Sequence, residues 1–147
     1  MVARIVAEHL PRYPYRLPFR FEIDPVNQVL LLRVDGRLTD ESVPPIYRAI
    51  REYSTATDAR AGIWDLSATE FALSPEFICQ LATLEPAMPD AAQRPRFVVV
   101  PAEFGLSVSR MFEIAVEHKR PLLKIASTID EALGALGIRS PQFEPLA

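Results

Sequence analysis

Phe19-Arg-Phe-Glu-Ile-Asp-Pro-Val-Asn-Gln-Val-Leu-Leu-Leu-Arg-Val34 is the stretch from which the rest of the chain can be placed. Phe19, Phe21 and Ile23 alternate with Arg20, Glu22 and Asp24. A period of two predicts a strand with one wet face. Asp24-Pro25-Val26-Asn27 is turn chemistry, with proline where its fixed φ is useful. Val29 to Val34 follows, with Arg33 its only charge, and reads as a more central strand. A turn this short makes the pair an antiparallel hairpin. The first strand then lies towards a sheet edge, which must be covered or paired, so a homodimer is one expected state.

Beyond the hairpin, Asp35-Gly36 ends the second strand and a helix follows. Ser42 reads as its N-cap, which puts Pro44 and Pro45 in the first turn, where the N–H groups have no helical partner. Val43, Ile46, Tyr47, Ile50 and Tyr53 share one face at helical spacing. Ala61 to Leu66 is a short buried strand containing Trp64. Ser74-Pro75 opens a second helix that runs to about Glu85, and Arg96 to Val100 is a β-branched strand between prolines. Glu103 to His118 reads as the longest helix and Leu122 to Ala126 as a last strand. Ser127 to Asp130 resembles a capping box, and Gly137 is a ready C-terminal cap.

The order is β-β-α-β-α-β-α-β-α. Alternation of this kind implies an α/β domain with a mixed, mostly parallel sheet of about five strands and about four helices. The domain is expected over residues 19–138. A Pro-, Arg- and Tyr-rich arm (1–18) precedes it, and a loose tail (139–147) follows it.

The bulk numbers agree with one domain. A chain of 147 residues with 49% hydrophobic and 24% charged side chains can bury a full core. Fourteen prolines against five glycines is the unusual ratio. Pro44, Pro45, Pro75, Pro86, Pro95, Pro101 and Pro121 fall at expected element boundaries, so they punctuate the fold rather than signal disorder. A net charge of −3 supplies no field for nucleic acid. The single Cys79 cannot form an internal disulfide, and no apolar run reaches the ~18 residues of a membrane span. With no signal-peptide pattern at the N-terminus, a cytoplasmic protein is expected.

Catalytic chemistry is hard to find. His9, His118 and Cys79 make no metal-ligand spacing, so neither a metal nor another cofactor is expected, and no catalytic residue is assigned. Cys79 reads as a small buried hydrophobe. Asp65, Ser67 and Glu70 lie at and beyond a strand's C-terminal end, the edge where α/β sheets place ligands. Asp65 fits equally well as an acceptor of backbone hydrogen bonds in that loop. Phe104, Ser107 and Arg110 open the longest helix and make a second candidate ligand or partner surface.

Four stretches in this order carry a resemblance. Val34-Asp-Gly-Arg-Leu-Thr39, Trp64-Asp-Leu-Ser67 with Phe71, Phe97 to Val100 with Phe104-Gly-Leu106 and Arg110-Met-Phe-Glu113, and Ser127 to Leu133 resemble segments of STAS-type domains. The closer resemblance is to SpoIIAA-like (STAS/SEC14 domain-containing) proteins, and it covers residues 19 to 137. It implies the fold of bacterial anti-sigma factor antagonists, whose key serine is phosphorylated by a partner kinase. Aligned on Asp65-Leu-Ser67, that serine is Ser74. The chain departs from the pattern at Leu73, Pro75 and Glu76, where the family has an acidic residue and Ser-Gly. Three readings result. The first is a non-catalytic regulatory or protein-interaction module with a protein partner. The second is a SEC14-like carrier of a lipid or small apolar ligand. The third, ranked last, is an enzyme.

Overall fold

The computed structural model of the chain describes residues 19–74, 76–77, 94–101 and 123–146. In chain order these contain β1 (Phe19–Asp24), β2 (Val29–Val34), β3 (Gly36–Thr39), α1 (Val43–Thr57), β4 (Ala61–Asp65), β5 (Thr69–Ala72), β6 (Arg96–Val99), β7 (Leu123–Ala126), α2 (Ile129–Ala135) and β8 (Glu144–Pro145). Six strands form one sheet in the order β7-β6-β4-β2-β1-β8, and β3 pairs with β5 in a separate two-stranded ribbon. Strands β2, β4, β6 and β7 run parallel, while β1 is antiparallel to β2 and to β8. The mixed, mostly parallel sheet matches expectation. The element count does not: the described residues hold eight strands and two helices. Helices expected after Ser74 and from Glu103 lie outside the described residues, apart from Glu76 and Phe77, which are helical. So do the arm 1–18, Cys79, His9 and His118.

Each face of the sheet has its own core, because alternate side chains of one strand point to opposite sides. Leu30, Leu32 and Val34 of β2 join Phe21, Ile23, Trp64 and Val98 beneath the Val43, Ile46, Ala49, Ile50 and Tyr53 stripe of α1. The Phe21 and Tyr53 rings stack at 4.0 Å. Val29, Leu31, Ala61, Ile63, Val99 and Ala126 form the opposite core beneath Ala132 and Leu133 of α2.

Local chemistry explains the helix ends. Ser42 precedes α1, yet its hydroxyl makes no cap bond. An N-cap oxygen normally accepts from the second or third helical N–H. Pro44 and Pro45 have none to give. The Ser42 hydroxyl turns back instead and accepts from the Thr39 N–H at 3.1 Å. At α2 the capping box lies one residue later than expected. Thr128 Oγ1 accepts from the Glu131 N–H at 3.0 Å, and Glu131 Oε2 accepts from the Ser127 N–H at 2.8 Å. Glu131 wins over Asp130 because its longer side chain reaches back across the turn. Gly137, at φ +74°, closes α2 with bonds from the Gly137 N–H to Gly134 and the Ile138 N–H to Leu133.

The C-terminal segment corrects a second expectation. It is not loose: Glu144 and Pro145 pair with Ile23 and Glu22, and Leu146 is buried in the core under α1. This places β8 on the outer edge of β1, covering the edge that the hairpin was expected to leave open. Asp24 ties the arrangement together. Its fully buried carboxylate accepts from the N–H groups of Val26, Asn27 and Gln142 and from the Asn27 side-chain amide. Burial alone pushes this carboxyl up, but the hydrogen bonds from Asn27, Gln142 and Val26 outweigh it and hold the group below the ordinary carboxylate range.

Candidate functional site

The C-terminal ends of β2 and β4 meet at Arg33 and Asp65, which are direct register partners. Asp65 is buried, and both of its oxygens are engaged. Oδ1 accepts from the Ser67 hydroxyl at 2.6 Å and the Ser67 N–H at 3.0 Å, while Oδ2 receives the Arg33 Nη1 group at 3.4 Å. Arg33 Nε also donates to Glu22 Oε2 at 2.7 Å. Asp65 therefore accepts the hydrogen bonds that shape the loop after β4. Arg33 and Glu22 complete the cluster and were not singled out from sequence as site residues. Their signals were present: Arg33 is the lone charge of a central strand, and Glu22 lies on the wet face of its hairpin partner.

Past this junction the chain continues as the ribbon. Gly36 takes φ +82°, a conformation open to glycine, and lets β3 leave the line of β2. Thr69 is buried and its hydroxyl donates to the Val34 carbonyl at 2.8 Å, which starts β5 alongside. Leu38 and Phe71 are register partners turned towards the core under α1. Arg37 and Glu70 are also register partners, and both are exposed. Neither makes an ion pair among the described residues.

Ser74 follows the ribbon and is partly buried. The Asp40 carboxylate, just beyond β3, accepts from the Ser74 N–H and the Ser74 hydroxyl, each at 2.9 Å. The Ser74 oxygen in turn accepts from the Phe77 N–H at 3.1 Å, as an N-cap does. The structure thus gathers Asp65, Ser67, Glu70 and Ser74 along one end of the fold and adds Arg37, Asp40, Arg33 and Glu22. Phe104, Ser107 and Arg110 lie outside the described residues.

A cleft of about 800 Å³ opens at the other end, where the parallel strands begin. Its walls include Asn27, Gln28, Asp58, Arg60, Arg94 and Ile138. Arg94 is held in place by Asp58 at 2.9 Å and by the Ala59 carbonyl. The lining is mainly polar and charged. Among the described residues, no three His, Cys, Asp or Glu side chains converge to hold a metal ion. Nor is any helix among them long and apolar enough to cross a membrane. No protein-family model matches the chain, and no curated protein matches it.

Proposed function

We propose that this chain is a non-catalytic regulatory or protein-interaction module of STAS type, working in a bacterial cytoplasm. Its partner surface is the ribbon β3/β5 with the loop of Ser67. One observation carries the reading: the ribbon presents Arg37 and Glu70 side by side, exposed and without an ion-pair partner among the described residues, on a hydrogen-bonded base. Asp65 and Ser67 tie one end of that base, and Asp40 and Ser74 tie the other. Both dyads use their carboxylates as hydrogen-bond acceptors for neighbouring groups, which suits scaffolding.

Ser74 serves first as a helix cap held by Asp40. Its reading as a phosphoacceptor rests on the resemblance. A phosphate at this position would set a dianion against the Asp40 carboxylate and break the clamp, so modification would loosen the ribbon from the helix start. The polar cleft at the far end suits a charged or hydrated group better than an acyl chain, so it lends no support to the carrier reading. Native mass spectrometry of the chain purified from its own host tests the proposal. A stoichiometric polypeptide supports it, and a copurified lipid or small molecule overturns it.

A further inference from the structure

Two arginines stand side by side in the cleft where the parallel strands begin. Arg60 precedes β4 and Arg94 precedes β6, and both line the cleft. Gly62 and Arg96 are register partners on those strands, and each arginine lies two residues upstream of one of them. Like charges at equivalent places on neighbouring strands repel unless an anion offsets them. Of the described wall residues, Asp58 alone carries a carboxylate, and it is engaged by Arg94 Nη2 at 2.9 Å. Arg94 Nη1 donates to the Ala59 carbonyl at 2.9 Å, which fixes this guanidinium on the wall. The carbonyls of Ser54, Leu133 and Gly134, at the ends of α1 and α2, are taken by the N–H groups of Asp58, Ile138 and Gly137. Arg60 is exposed and makes no ion pair among the described residues. The wall therefore holds one positive charge in excess.

We infer that this cleft binds a small organic oxyanion, a phosphate or carboxylate group carried on a small molecule, between Arg60 and Arg94. A guanidinium presents a planar fork of donors that fits either group. Two of the five Arg94 N–H donors are spent on Asp58 and Ala59, which leaves the rest for a ligand. A volume of about 800 Å³ is ample for such a molecule, and Leu136 and Ile138 offer apolar wall to its carbon skeleton. One excess charge in a cleft open to water gives weak, exchanging binding. The ligand is therefore lost on purification, and copurification at the ribbon is unaffected. The two sites lie at opposite ends of the sheet, so either can fail without the other.

The test follows the Arg60 and Arg94 side-chain Nε–H signals of the full chain by nitrogen-15 NMR. The protein is titrated with inorganic phosphate and, separately, with succinate, each against sodium chloride at matched ionic strength. Saturable shifts of both signals are expected with at least one oxyanion, and none with chloride. Saturation by phosphate alone points to a phosphorylated ligand, and by succinate alone to a carboxylate. Arg60→Gln breaks no ion pair among the described residues, so its Tm should stay within about 1 °C of the parent's. Its oxyanion affinity should fall about tenfold. Arg37→Gln, at the ribbon, should bind as the parent does. No saturation with either oxyanion, equal shifts with chloride, parental affinity in Arg60→Gln, or an equal loss in Arg37→Gln would overturn the site.

Discussion

Asp24 shows how one side chain can hold two distant parts of a fold. Four N–H donors converge on a carboxylate with no exposed surface. Asp24→Ala strands those donors and is expected to cost about 3 kcal/mol in chemical denaturation at neutral pH. The sign of the pH dependence follows from the direction of the shift. Because the folded carboxyl is held below its ordinary value, its stabilisation is complete above that value. It is lost as pH falls through the folded value, in the window below about pH 4. Denaturation at a series of pH values should show the parent losing more stability than Asp24→Asn across that window. Equal acid limbs would contradict the role. Gly62 makes a second residue-scale case. A Cβ there would lie 2.5 Å from the Trp64 ring and 2.8 Å from Arg96 Cδ, and Arg96 in turn stacks over that ring. Gly62→Ala should cost about 1–3 kcal/mol, read as a fall in Tm. The turn at Asp24 was legible from its neighbours in sequence. Its bond to Gln142 was not, because that partner lies 118 residues away and carries no local signal.

At the level of elements, caps separate what the local sequence dictates from what tertiary context adds. Thr128→Ala removes the cap bond of α2 and should cost about 1 kcal/mol. Ser42→Ala removes the bonds of its hydroxyl to the Thr39 N–H and the Thr39 hydroxyl but no helix cap, so the start of α1 should be unchanged by amide exchange. Faster exchange of the first-turn amides in Ser42→Ala would mean that the prolines do not exclude capping as described. β1 and α1 were legible from their apolar periodicity, and β2 from an apolar run broken only by Arg33. The strands β3 and β5 were not. Each has only four residues, with mixed side chains, and they exist because parallel neighbours carry their pairing past the sheet's end. For the same reason Asp65, Ser67, Glu70 and Ser74 could be named from sequence, while the Asp40 clamp on Ser74, formed between residues 34 apart, could not.

At the scale of the whole molecule, the described residues form a sheet with a core on each face, a β1 edge covered by β8 and two unlike ends. One end carries the ribbon with its exposed Arg37 and Glu70, and the other carries a polar cleft. The parallel order was readable from alternating strands and helices, since crossovers constrain how such units pack. The closing of β1 by the chain's own C-terminal segment had no such rule behind it. Whether the ribbon is a partner surface turns on one paired measurement. The parent and an Arg37→Glu, Glu70→Arg variant are purified from the native host and compared by native mass spectrometry. The exchange keeps opposite charges in register, so the two proteins should have the same Tm within about 1 °C. A bound polypeptide is expected on the parent and absent from the variant. The same polypeptide on both proteins, or a lipid on the parent, would contradict it.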